Sequence, residues 1–120
     1  MYKVSEEVKN NVRASIEREL SGVASVDECR LDLLVFTIIV KVDGWSRSRI
    51  EISNDVNGIV FFVKSEEIDF TESKETLIKP DEKFWRIVSL SPAYAQGIGG
   101  MIMKFIEQVA EVAEKQGMSL

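Results

Sequence analysis

The stretch Ser91–Gly117, SPAYAQGIGGMIMKFIEQVAEVAEKQG, decides the fold because its pattern is that of one long amphipathic helix. Ser91 is a good N-cap and Pro92 fits the first helical position. Gly117 is a natural stop. From Ile98 onward the polar residues recur every three or four positions, and the positions between them are apolar. The spacing predicts a helix to about Gln116 whose apolar surface covers more than half of its circumference.

The glycines of this stretch favour close packing over phosphate binding. A dinucleotide fingerprint needs a third glycine three residues after Gly99, where Ile102 stands, and no Lys-Thr pair follows Gly100 as in a P-loop. Ala93, Gly97 and Gly100 instead share one helical face of small residues, which lets another element approach closely.

The breadth of the apolar surface indicates a contact beyond the sheet, because a helix lying on a sheet needs an apolar face of only about 100°. The N-terminal helix packed alongside is one candidate for this contact, and a second copy of the chain is the other. We expect a homodimer, since the N-terminal helix offers only a thin apolar stripe. The residues predicted to self-associate are Ala93, Gly97, Gly100, Met103, Ile106, Val109 and Ala110.

The N-terminal region predicts a surface helix from Ser5 to Leu20. Val8, Val12 and Ile16 recur every fourth residue, which gives a narrow apolar stripe. Ser5 is placed to cap the helix at its first turn. Gly22 can end it.

The middle of the chain predicts a sheet. Strands are expected where β-branched and aromatic residues cluster between turn signals, with Ala24–Glu28 as a connector and Ser65–Lys74 as an irregular segment. The predicted strands are Leu31–Val42, Trp45–Ser53, Ile59–Lys64, Glu75–Lys79 and Lys83–Leu90. Short turns between neighbouring strands favour a meander. The fold class is therefore α+β: an N-terminal helix, an antiparallel meander sheet of four to five strands, and a long C-terminal helix packed on one face.

The length of 120 residues predicts a single domain, 1–120, with 45% apolar residues to form its core. The net charge of −5 argues against nucleic-acid binding, because phosphate contacts need a surplus of Lys and Arg. The single cysteine, Cys29, favours a reducing compartment. No apolar leader or membrane-length apolar run is present, so we expect a cytoplasmic protein without a membrane contact.

Histidine is absent from the chain, and this excludes several chemistries. Ser-His and Cys-His dyads and histidine metal sites are all impossible. The segment Ser53–Gly58 resembles a calcium loop only faintly, because Lys64 stands where a bidentate glutamate is needed. We therefore predict no enzyme activity, no cofactor and no metal.

Two clusters are candidate contacts for a protein partner. Trp45, Arg47 and Arg49 alternate on a predicted strand and would form an aromatic–arginine row. The acidic residues Glu66, Glu67 and Asp69 would form a docking surface in the irregular segment. Each cluster could equally be an ordinary solvated surface.

The function predicted from these features is that of a non-catalytic protein-interaction module, in the manner of an adaptor, chaperone or inhibitor. It would self-associate through its C-terminal helix. The alternative is a domain that binds a small apolar or carboxylate ligand between helix and sheet, with Arg47, Arg49 or Arg86 as counter-ion. A third possibility, an enzyme using carboxylates or Cys29, is the weakest because histidine is missing.

Overall fold

A computed structural model describes residues 4–32, 35–54, 58–64, 71–75 and 82–120 of the chain. In chain order its elements are α1 (Glu6–Glu19), β1 (Ala24–Leu31), β2 (Phe36–Val42), β3 (Arg49–Asn54), β4 (Gly58–Lys64), β5 (Thr71–Glu75), α2 (Glu82–Leu90) and α3 (Pro92–Gln116). The predicted α+β class is confirmed, with a helix at the start, a sheet in the middle and a long helix at the end.

The described strands form one antiparallel sheet in the order β1-β2-β3-β4-β5. Val40 of β2 lies opposite Ile50 of β3, and Ile50 lies opposite Val63 of β4. The register of β1 against β2 shifts between Val26 and Glu28, so β1 carries a bulge. Each strand pairs with the next in sequence, which confirms the predicted meander.

One face of the sheet, called here the inner face, is buried beneath the helices. Alternate residues of β1 to β4 point to it, as the two-residue period of a strand requires. Its most buried side chains are Ala24, Val26, Leu31, Phe36, Ile38, Val40, Val42, Ile50, Ile52, Ile59, Phe61 and Val63. Removing such a side chain from water contributes roughly 1.5–3 kcal/mol, so this face anchors the fold.

Aromatic contacts hold the two C-terminal helices to the inner face. The rings of Trp85 in α2 and Phe36 in β2 meet edge to face with their centroids 4.8 Å apart. Phe105 of α3 packs on Phe61 of β4 at 5.7 Å. These separations lie in the range that favours aromatic pairs, so both helices are seated on the same side of the sheet.

The helix α1 behaves as its four-residue stripe predicts. Val8, Val12 and Ile16 are buried, and the Oγ of Ser5 accepts a hydrogen bond from the N–H of Val8 at 3.3 Å. This contact satisfies one of the free N–H groups at the start of the helix.

The helix α3 ends where the sequence predicts, at Gln116 before a left-handed Gly117 with φ 64°. Its start differs in one respect, because the side chain of Ser91 makes no capping hydrogen bond. Pro92 at the first position, with φ already helical, remains as the start signal.

The predicted strand Lys83–Leu90 is wrong, because this segment is the helix α2. Phe84, Trp85 and Val88 are all buried, and their spacing puts them on one side of a helix. As a strand the segment would have turned Phe84 and Trp85 to opposite faces. Packing of both rings into the core therefore selects the helix.

The boundaries of the strands differ from prediction in two places. The segment Ala24–Glu28, predicted as a connector, is part of β1. The segment Leu31–Val42, predicted as one strand, contains the last residue of β1 and the whole of β2. The strand expected from Trp45 begins only at Arg49. Thr71–Glu75 is strand β5, although the sequence predicted an irregular segment there. Most of the predicted strand Glu75–Lys79 lies outside the described residues.

Candidate interaction surface

The second face of the sheet is called here the outer sheet face, and its described side chains are half-buried or exposed. It comprises Thr37, Ile39, Lys41, Arg49, Glu51, Ser53, Val60 and Phe62. These positions alternate with the buried residues of the inner face. Among the residues that the structure describes, no helix covers this face.

The register sets apolar and charged side chains side by side on the outer sheet face. Ile39 lies opposite Glu51, and Glu51 lies opposite Phe62. In the neighbouring row, Ser53 lies opposite Val60. Cross-strand neighbours have Cβ atoms about 5 Å apart, so Ile39 and Phe62 flank the Glu51 carboxylate.

Ion pairs lie at the β1 side of this face. The Nε of Arg49 is 3.9 Å from an Oδ2 of Asp27, which is the extra residue of the β1 bulge. The guanidinium of Arg30 contacts the Glu28 carboxylate, and this hydrogen bond raises the pKa of Arg30. Water screens these pairs, so they contribute little to the stability of the fold.

The structure separates the predicted aromatic–arginine row. Arg49 lies on β3, but Trp45 and Arg47 lie in the turn between β2 and β3. Trp45 is half-buried against the core, while the side chain of Arg47 is exposed. The three side chains therefore do not line one face of a single strand. The predicted acidic contacts Glu66, Glu67 and Asp69 lie outside the described residues.

The residues predicted for self-association are divided between the core and the surface. Ile106 and Val109 are 7% and 0% exposed within a single chain, so they are covered by the chain itself. Met103 and Ala110 are half-buried at the margins of the packed surface. Ala93, Gly97 and Gly100 are exposed.

The close helix contact in the glycine stretch is made by Gly99. A Cβ at Gly99 would lie 2.6 Å from the Cβ of Glu19 in α1, while positions 97 and 100 have open space. Gly99 thus permits α1 and α3 to approach. The helical interpretation of the glycines holds, but the small-residue face chosen from the sequence points away from α1.

Cys29 is half-buried on the sheet beside α1. Burial raises the pKa of its thiol to about 11, and the nearby Arg13 offsets only part of that rise. A thiol with this pKa is protonated near neutral pH, which is unfavourable for a nucleophile.

The sequence did not predict three apolar features of the structure. Two are exposed side chains, and the third is a contact with the core. Leu90 and Tyr94 are 74% and 42% exposed where α2 meets α3. Val35 is exposed just before β2. Met118 and Leu120 pack against the core and bring the segment after α3 to the turn before β3. The packing of Met118 and Leu120 had one signal in the sequence, which is that the two apolar residues flank the polar Ser119.

Two further features are absent from the described ranges. No cluster of three or more His, Cys, Asp or Glu side chains able to hold a metal ion occurs there. No helix there has the length and apolar character to span a membrane. Comparison with protein-family models, curated proteins and solved structures finds no match.

Proposed function

We propose that this chain is a non-catalytic protein-interaction module that binds a partner protein with its outer sheet face. The observation that carries the proposal is that Ile39 and Phe62 lie on either side of Glu51, each opposite it across a strand pair. They lie on a face that no described helix covers. Apolar side chains left at a surface and ringed by charges are typical of docking sites.

The chemistry of this face defines the partner surface that would fit it. Ile39, Val60 and Phe62 are already half-buried, so covering them adds only part of the roughly 1.5–3 kcal/mol that full burial of such a side chain provides. Arg49 and Glu51 carry opposite charges within the same patch. A partner with an apolar centre and mixed charges around it matches this arrangement.

The chemistry of the chain also supports a non-catalytic role. Histidine is absent from the chain, and the raised pKa of Cys29 keeps its thiol protonated. The alternative, a small ligand held between helix and sheet, has less support. Residues from both layers, such as Ile52 and Ile102, belong to one continuous buried core there.

Self-association and a cytoplasmic location remain predictions. Because Ile106 and Val109 lie in the core, a dimer through α3 would have to use its exposed side, where Ala93, Gly97 and Gly100 lie. Sedimentation velocity at micromolar concentration tests the dimer, and a single species of monomer mass would contradict it.

Site-specific photo-cross-linking tests the docking face. A benzoylphenylalanine placed at Ile39 on the outer sheet face should cross-link to a partner in the host cell, whereas one at the exposed Gln96 of α3 should not. The partner so identified is then titrated against purified chain. Phe62→Ser should weaken binding by about tenfold or more, since 1.4 kcal/mol corresponds to a factor of ten.

Leu90→Ser is the matched control, because it also removes an exposed apolar side chain but lies away from the sheet. It should leave the affinity unchanged. Equal losses for Phe62→Ser and Leu90→Ser, or cross-links from Gln96 alone, would contradict the proposed face. Circular dichroism of each variant establishes that the fold is retained.

A further inference from the structure

The outer sheet face carries its acidic and basic residues in separate rows that run across the strands. Ile39 of β2 lies between Glu28 of β1 and Glu51 of β3 in the register, so these three residues form one row. Lys41 and Arg49 form the next row, two residues away along β2 and β3. Residues two apart in a strand are separated by about 7 Å. A basic row therefore lies directly beside a row that is acidic and apolar.

The charges of the outer sheet face and of its β1 side cancel among the described residues, although the whole chain carries a net charge of −5. The charged residues there are Asp27, Glu28, Arg30, Lys41, Arg49 and Glu51. A face of one sign would repel a second copy of itself, whereas a balanced face with separate rows can complement its own copy. The partner surface inferred above, with an apolar centre and mixed charges around it, has the chemistry of this same face.

Two-fold symmetry limits the ways in which two such faces can meet. In a symmetric dimer both copies contribute the same surface, so the position of the axis fixes what each residue contacts. An axis along β3, or along the row of Ile39 and Glu51, sets Glu51 against Glu51 of the second copy, and like charges in contact are unfavourable. An axis between the two rows instead sets Arg49 of each copy over Glu51 of the other. Symmetry then gives the dimer this ion pair twice.

The same arrangement covers apolar surface. Ile39 is half-buried and Lys41 is exposed, so both have accessible surface to lose. Lys41 of one copy lies over Ile39 of the other, where its aliphatic stem can pack while its ammonium group stays in water. The guanidinium of Arg49 has several N–H groups, so it can bond a second carboxylate while its Nε stays 3.9 Å from Asp27.

The size of the sheet fits a reversible dimer. Its five strands, spaced about 4.8 Å apart and about 20 Å long, present a face of roughly 500 Å². Two copies would together bury roughly 1,000 Å², which is at the lower limit for a specific interface. We therefore expect a dimer that forms at micromolar concentration and dissociates on dilution.

We propose that the occupant of the outer sheet face is a second copy of this chain, docked face to face so that Arg49 of each copy contacts Glu51 of the other. The inference rests on the proposed function, because it names the partner of that same face. It assigns self-association to the sheet rather than to α3.

Charge reversal at the two residues tests the proposal, with sedimentation velocity at micromolar concentrations as the measurement. Arg49→Glu sets carboxylate against carboxylate across the interface, and Glu51→Arg sets guanidinium against guanidinium. Each variant alone should dissociate with a constant raised about tenfold or more. Mixed in equal amounts, the two variants should form a heterodimer about as tight as the dimer of the unaltered chain, because every contact is then between opposite charges.

Lys104→Glu is the matched control, because it also reverses an exposed cation but lies on α3. It should leave the dissociation constant unchanged. Circular dichroism establishes that each variant is folded. If a charge-reversed variant does not fold, benzoylphenylalanine at Ile39 in the purified chain serves instead. It should give a covalent dimer, and the same group at Gln96 should not.

The proposal is overturned if the unaltered chain is monomeric throughout the micromolar range, if Arg49→Glu leaves the dimer intact, or if the mixed variants do not associate. Cross-links from Ile39 to a different protein in the host cell, without a covalent dimer of the purified chain, would uphold the docking face and overturn the second copy as its occupant. The absence of any cross-link from Ile39 in either setting would contradict both proposals.

Discussion

Alanine substitution of the three glycines in α3, one at a time, separates helix propensity from helix packing. At Gly97 and Gly100 a new Cβ meets no heavy atom within 4 Å beyond its own helical surroundings. At Gly99 the new Cβ would lie 2.6 Å from the Cβ of Glu19. All three sit in the same helix, so their intrinsic propensity terms are nearly equal.

The expected magnitudes follow from these contacts. Alanine is favoured over glycine in a helix interior by about 1 kcal/mol, so Gly97→Ala and Gly100→Ala should each raise the free energy of unfolding by that amount. Gly99→Ala has the same gain from helix propensity, but overpacking against Glu19 lowers the free energy of unfolding by about 1–3 kcal/mol. The Cβ of Glu19 is bonded directly to the α1 backbone, so α1 and α3 must separate to relieve the contact. Gly99→Ala should therefore be about 1–3 kcal/mol less stable than Gly97→Ala.

Equilibrium urea unfolding measures the difference, with the fluorescence of the fully buried Trp85 as the probe. Each kcal/mol corresponds to a shift of roughly 4 °C in Tm for a chain of this size. The double variant Gly99→Ala/Glu19→Gly removes the opposing Cβ, so Gly99→Ala should cost about 1–3 kcal/mol less in the Glu19→Gly background than in the unaltered chain. The packing argument is refuted if Gly99→Ala is as stable as Gly97→Ala, or if Gly99→Ala costs as much in the Glu19→Gly background as in the unaltered chain.

Three further predictions address caps, core and the cysteine. Ser5→Ala should lower the free energy of unfolding by about 1 kcal/mol because it removes a capping bond, and Ser91→Ala should lower it much less; thermal unfolding of both compares them. Ile102→Ala, at a fully buried site, should cost about 2–5 kcal/mol in urea unfolding, well above Met101→Ala at the half-buried margin. Burial raises the pKa of Cys29 from 9.0 to about 11, so the unfolded chain loses its thiol proton at lower pH. The free energy of unfolding should then fall as pH rises from about 9 to about 11, and Cys29→Ser should remove that part of the decline. Alkylation of Cys29 by iodoacetamide at pH 8 should be about a hundredfold slower in the folded chain than in urea.

Much of the fold could be predicted because its signals are periodic and long. The four-residue stripe of α1 and the polar stripe of α3 extend over several turns, and such patterns specify a helix without knowledge of its neighbours. The segment 83–90 is short and rich in aromatic and β-branched residues, so its pattern fits either helix or strand. The contact of Trp85 with Phe36, distant in sequence, decides for the helix.

The candidate surface was predictable only in part. Arg49 was predicted as a strand residue of the contact surface and lies half-buried on the outer sheet face, but Ile39 and Phe62 were not predicted there. The apolar run around Ile39 looks the same whether one or both faces of the strand are buried. Ile106 and Val109 were predicted at an interface because the sequence cannot show how much of α3 the two shorter helices cover. In the folded chain both lie in the core.

The amino-acid sequence by itself determined the class of the fold, the two terminal helices and the antiparallel order of the central strands. These depend on local period, capping residues and short turns, each set within a few residues. Only the tertiary structure decided which glycine admits a neighbouring helix, which apolar side chains remain on the outer sheet face, and that residues 118–120 lie on the turn before β3. These depend on distances between segments far apart in the chain, and burial against such partners, rather than local preference, determines them.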